Sequence, residues 1–104
     1  MIKRRTRTGK GHPRRWELRI YVVNSEARSA ATLNNLEQLC EKHVSGQYRI
    51  EVVDLKLHPQ RSREDQIVAI PTVVRCLPLP ERRVIGTLAD GGRAAAGLEL
   101  GVVN

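Results

Sequence analysis

Two kinds of hydrophobic spacing succeed one another in the first half of the chain. In "LRIYVV", residues 18–23, Leu18, Ile20 and Val22 alternate with Arg19, Tyr21 and Val23, the period of a strand made of β-formers. Leu33, Leu36, Cys40 and Val44 then recur at helical spacing, with Leu39 widening the stripe. Ahead of them "NSEARS" offers Asn24 or Ser25 as a cap and Glu26 as a favourable charge at the positive helix end. Lys42 and His43 suit the last turn, and Gly46 suits the left-handed position just after it. "YRIEVVDL", residues 48–55, returns to strand spacing. Strand, helix and strand in so short a span predict a βαβ unit: a parallel pair joined by a right-handed crossover.

The second half is less sharply written. "HPQRSREDQIVA" (58–69) admits a helix opened by Pro59, with Glu64 and Asp65 favouring its N-terminal half, yet "QIVAI" suits a strand equally well. In "VAIPTVVRCLPLP" an apolar run is broken by Pro71 and closed by Pro78 and Pro80. Proline has no amide proton for a ladder, so Pro71 belongs at the mouth of a strand "TVVRCL" rather than inside one. "RRVIGTL" (82–88) reads as another strand and "ADGGRAAAGLEL" (89–100) as a closing helix. Gly91, Gly92 and Gly97 weaken that helix, each costing about 1 kcal/mol relative to alanine in a helix interior. This order resembles the thioredoxin fold, and the resemblance implies a cis bond before Pro71.

Composition narrows the picture. The 104 residues suit one domain, and without Phe the core must be aliphatic around Trp16, Tyr21 and Tyr48. The net charge is +7, but seven of the 18 Lys/Arg precede Trp16 with no acidic residue among them. The remaining eleven face eleven Asp/Glu, so the excess lies in the first fifteen residues. Residues 1–15 therefore read as a basic flexible arm and residues 16–104 as the folded domain. Arg4, Arg5, Arg7, Arg14 and Arg15 make nucleic-acid binding through the arm an alternative function, while the neutral domain argues against a nucleic-acid-binding fold. No apolar segment follows the arm as in a secretory signal, and no run approaches a membrane span, so the expected home is the cytoplasm.

Catalytic constellations do not assemble. A thioredoxin-type redox enzyme needs a thiolate at the first helix's N-terminus, where this chain has "NSEA", residues 24–27. Cys40 and Cys76 read instead as small buried hydrophobes. Cys40, His43, His58 and Cys76 lack paired metal-ligand spacing, and "GTLADGGRAAAG" lacks the lysine and spacing of a phosphate loop. The expectation is a non-enzymatic protein with no metal and no cofactor.

A series of short motifs then carries a family resemblance: Val53-Asp54-Leu55, His58-Pro59-Gln60, Glu64-Asp65, Ala69-Ile70-Pro71-Thr72, Leu77-Pro78-Leu79-Pro80, Val84-Ile85-Gly86-Thr87-Leu88 and Gly97-Leu98-Glu99-Leu100. With the opening "LRIYVV" they resemble the KaiB family of circadian-clock proteins over residues 16–100, in the manner of a divergent paralogue. The resemblance implies a single α/β domain whose N-terminal βαβ is constant. Its C-terminal half would switch between a ground-state arrangement, associated with tetramers, and a thioredoxin-like one. It also implies an adaptor that binds the RecA-type ATPase and kinase KaiC, with KaiA or a SasA-type kinase as further partners, or a thioredoxin-like interaction domain for another kinase. Partner-binding positions carried over are Glu64, Asp65, Trp16 and Gln66, the last standing where the family has a lysine. Fold-switch positions are Pro71, Pro78, Pro80, Gly97 and Glu99. A dimer or tetramer is expected.

Overall fold

The computed structural model describes residues 3–8, 16–23 and 27–101. Its elements are β1 (Lys3–Thr8), β2 (Trp16–Val22), α1 (Ala27–His43), β3 (Gln47–Asp54), α2 (Gln60–Glu64), β4 (Thr72–Leu77), β5 (Arg82–Ile85) and α3 (Gly91–Leu98). The strands form one sheet in the order β1-β3-β2-β4-β5. Only β2 and β3 are parallel, from Trp16 opposite Tyr48 to Val22 opposite Asp54. That pair with α1 is the βαβ unit expected from the spacing, and its alternation decides which face is buried. Leu18, Ile20, Val22, Ile50 and Val52 join Leu36, Leu39 and Cys40 of α1 and Ala94 and Leu98 of α3 in the main core. Tyr21, Val53, Leu55 and Val74 form a smaller cluster on the opposite face, covered by Ile67 and Ile70.

The central four strands with their helices are the thioredoxin-like arrangement, one of the two implied for the second half. The Ile70–Pro71 bond is cis, as that resemblance implied, and so are Leu77–Pro78 and Leu79–Pro80. Pro71 is buried immediately before β4, at the strand's mouth. Gly46 takes φ +72 after α1, the left-handed stop its position suggested. The proposed caps Asn24 and Ser25 lie outside the described residues.

Two expectations need correction, and one open alternative is decided. The arm is not structureless throughout: Lys3–Thr8 pairs antiparallel with β3, Lys3 opposite Val52 and Thr8 opposite Gln47. Backbone pairing needs no apolar periodicity, which is why the sequence pattern gave no sign of it. Residues 9–15, with Arg14 and Arg15, lie outside the described residues. "QIVAI" is not a strand, because Gln66 takes φ +56 and breaks the extended run at its start. The strand expected over 82–88 stops at Ile85, where Gly86 (φ +114) and Leu88 (φ +65) turn the chain toward α3.

The glycines of α3 weigh less than their helix-interior cost suggested. Gly91 and Gly92 fall in the first turn, and Asp90 caps it by accepting the Arg93 amide at 3.1 Å. Gly97 is needed for contact: a Cβ there would lie 2.8 Å from Cγ2 of Val84 on β5. The helix ends at Glu99 in the left-handed conformation, with the Glu99 and Leu100 amides returning to Ala96 and Ala95. On the same face Arg75 is only 2 % exposed, its guanidinium 5.4 Å from the centre of the Trp16 ring and one Nη donating to the Pro80 carbonyl at 2.7 Å. Among the described residues its Nε finds no hydrogen-bond partner.

Gly97→Ala is expected to push α3 off β5 and to cost about 1–3 kcal/mol, the usual penalty of overpacking. Urea denaturation would show a lower midpoint at unchanged slope. A midpoint equal to wild type would mean that the helix has room to move.

Candidate functional site

The open face of the sheet carries paired charges where β2 and β3 run side by side. Parallel register sets Glu17 opposite Arg49 and Arg19 opposite Glu51. Arg19 Nε donates to Glu51 at 2.7 Å, and Arg49 approaches Glu17 at 3.9 Å. Side chains two residues apart share a face, so Tyr21 lies beside Arg19, which donates to its hydroxyl at 3.1 Å. The Tyr21 hydroxyl in turn donates to Asp65 at 2.5 Å. Asp65 ends α2 and also accepts from Arg61 one helical turn earlier, at 3.1 Å. Since α2 buries none of its residues, this carboxylate, together with Ile67 and Ile70, is what fastens the segment to the sheet.

A second fastening comes from β5. Arg83 donates to the carbonyls of Asp65 and Gln66, at 2.8 and 3.0 Å, and Glu81 orients it at 3.0 Å. The turn is thereby held with Asp65 and Ile67 directed inward. Glu64, Gln66 and Val68 are exposed, Val68 by 89 %. Ile85 of β5, 59 % exposed, is a further apolar group on the outer surface. Arg19, Tyr21, Glu64, Asp65, Gln66, Val74, Glu81 and Arg83 enclose a polar hollow of about 210 Å³.

Electrostatics follow from these contacts. Burial alone would raise the Asp65 carboxyl, but bonds from Tyr21 and Arg61 and the charges of Arg61 and Arg19 outweigh it and hold it below the ordinary carboxylate value. Burial, then the bond to Asp65, pushes the Tyr21 phenol up. The thiols are held in their inert form. Cys40 is pushed up to about 12 by burial in α1, and Cys76 is raised by burial despite the neighbouring Arg19. Among the described residues no group of three His, Cys, Asp or Glu could hold a metal ion. The arrangement offers recognition of another surface: mixed charge around a rigid turn, with exposed valine and isoleucine beside it.

The sequence-derived positions divide. Glu64 and Gln66 are displayed together, whereas Asp65 faces the sheet as their anchor. Trp16, expected at a binding surface, is 4 % exposed and packs in the main core beneath Arg75. Pro71 opens β4, and Pro78 and Pro80 shape the β4–β5 connection. Gly97 allows α3 to touch β5, and Glu99 ends that helix while pairing with Arg82 at 2.9 Å. Arg4, Arg5 and Arg7 lie in β1, in register with Glu51, Ile50 and Tyr48. Sequence reasoning missed Arg19, Tyr21, Arg61 and Arg83. The signal was available in the strand pattern, since Glu17, Arg19 and Tyr21 alternate with apolar residues on a strand whose parallel partner does the same.

Residues 19–100 match the KaiB domain family model. The chain belongs to the KaiB family. The circadian clock oscillator protein KaiB of Synechococcus elongatus is 39 % identical over 83 residues, spanning 80 % of this chain and 81 % of its own. The circadian clock protein KaiB3 of Synechocystis is 31 % identical over the same length, with the same coverage. In structure this KaiB-family chain is similar to the N-terminal domain of Synechococcus elongatus SasA, with a TM-score of 0.68 at 13 % identity over 96 % of this chain and 99 % of that one. Chloroplastic thioredoxin z is similar with a TM-score of 0.58 at 19 % identity over 82 % of each chain. These likenesses establish the chain's fold as thioredoxin-like. Among its described residues no helix is long and apolar enough to cross a membrane.

The lowered Asp65 value sets the sign of a pH effect. Stability from this carboxylate is complete above the unfolded value near pH 4 and is lost as pH falls through the lower folded value. Tyr21→Phe removes one donor, so Asp65 should titrate at higher pH in carboxyl NMR, with a loss of about 1 kcal/mol near neutrality. Asp65→Asn should flatten the acid limb of the stability curve. An Asp65 titration unmoved by Tyr21→Phe would show that the arginines alone hold it.

Proposed function

We propose that this KaiB-family chain is a non-enzymatic adaptor that docks on a KaiC-like RecA-type ATPase, acting in the cytoplasm in clock-type or stress signalling. The contact surface is the segment from Glu64 to Thr72 together with the βαβ unit. The observation that carries this reading is the display of Glu64, Gln66 and Val68 on a turn locked from below by Asp65 and from the side by Arg83. A docking epitope gains affinity when its shape is fixed before the partner arrives. Family membership supports the partner class, and KaiA or a SasA-type kinase would compete for or follow the same complex. Homo-oligomers would form the resting pool. The second half, where neither α2 nor β5 buries a residue, is the part proposed to rearrange. Pro71, Pro78, Pro80, Gly97 and Glu99 would be the positions where its path is set.

Binding to a purified KaiC-family ATPase, measured with and without ATP, tests the reading. Glu64→Lys and Val68→Glu, each leaving the circular-dichroism spectrum unchanged, are expected to weaken the complex by about tenfold or more, as hot-spot losses do. Full affinity in both variants would move the interface elsewhere. No complex in either nucleotide state would favour the second reading, a thioredoxin-like interaction domain for a different kinase or partner.

A further inference from the structure

Four strands, β3-β2-β4-β5, complete the thioredoxin-like core, yet the sheet has five. The additional one, β1, precedes the residues that match the family model. Its sequence is Lys-Arg-Arg-Thr-Arg-Thr, without an apolar residue. All six positions are in register with β3. The backbone pairing attaches such a strand, and the ladder bonds are largely offset by the entropy of ordering it.

The edge it covers is suited to a cationic strand. Glu51 of β3 stands opposite Arg4 in the register, and Tyr48 stands opposite Arg7. Tyr48 donates its hydroxyl to Glu41 of α1 at 2.6 Å. Together with Glu37, Gln38, Glu41 and Lys42 it lines a groove of about 420 Å³ along the helix. Acidic side chains from both the strand and the helix packed over it thus border the place where Lys3, Arg4, Arg5 and Arg7 are brought in.

We propose that the outer edge of β3 is a docking site for a basic extended strand, filled in this chain by its own residues 3–8 and open to the same segment of a second copy once that strand is released. Pairing by strand addition draws its affinity from main-chain bonds, so an identical segment in trans satisfies the same edge. The cis strand guards the edge against open-ended pairing, which an uncovered edge invites, and its charges repel unrelated strands. The site is separate from the Glu64–Val68 surface and does not depend on the adaptor reading.

The test uses the full chain carrying Arg5→Pro with Thr6→Pro. Successive strand amides point to opposite edges, so one of the two prolines removes a donor facing β3. In the wild type the outer-edge amides of residues 47–52 are expected to exchange at least about tenfold more slowly than in the double-proline chain. Ile20 and Val73, deep in the sheet, should exchange alike in both, which confirms that the variant is folded. A synthetic peptide of residues 1–10 should restore the lost protection in the variant and leave the wild type unaffected. Raising the salt from about 0.05 to about 0.5 M should weaken that peptide several-fold, as screening shortens the reach of its charges. Equal exchange in the two chains overturns the proposal, as does a peptide that restores nothing or binds the wild type equally well.

Discussion

Everything in this molecule is arranged around the parallel pairing of β2 with β3. A parallel pair needs a crossover, which fixes α1 on one face. Once α1 is there, the two-residue period decides the rest. Leu18, Ile20 and Val22 must turn toward the helix, and Glu17, Arg19 and Tyr21 must turn away. The second strand repeats the division with Ile50 and Val52 against Arg49 and Glu51. A slip of one residue would bury two ion pairs and expose the aliphatic core, so the register is strongly specified. With no phenylalanine available, these aliphatic layers and two tyrosines provide most of the packing.

The two faces of the sheet are consequently held by different forces. On the helical side burial dominates, and even the terminal helix, rich in alanine and glycine, is locked by Leu98 and by the close approach at Gly97. On the other side a short helix without buried residues is tied down through Asp65, Tyr21, Arg19, Arg61 and Arg83. Apolar packing is insensitive to solution conditions over the physiological range, whereas hydrogen-bonded charge is sensitive to pH and salt. The displayed turn is thus the part of the domain whose order is most open to adjustment by its surroundings, and it is also where partner recognition is proposed. Arg83 couples it to β5, so displacement of either element removes support from the other.

The first half was legible because spacing, capping and burial agree there. Strand and helix boundaries in β2, α1 and β3 fall within a few residues of those the periodicity indicates. The second half resisted for local reasons. "QIVAI" has the composition of a strand, but Arg83, a side chain from elsewhere, captures the carbonyls of Asp65 and Gln66 and holds a left-handed turn at Gln66. Gly91 and Gly92 look like helix breakers only until Asp90 is seen to cap them, and Gly97 is explained by Val84, which sequence distance conceals. Arg75 has no sequence signature of burial, and β1 has no periodicity to detect. The motif series identified the family, and it located Glu64 and Gln66 on the surface. It placed Trp16 there too, because a strand's first residue does not disclose that Arg75 of β4 closes over it.

That enclosure gives the molecule an internal optical probe. Trp16 is the chain's only tryptophan, it belongs to the βαβ half, and the cation over its ring belongs to β4 in the other half. Its emission therefore reports on the junction between the halves, where a guanidinium from β4 lies on the face of a buried indole from β2. The spectrum of a single native chromophore can follow the state of that junction in the unlabelled protein, on a timescale no slower than the motion itself.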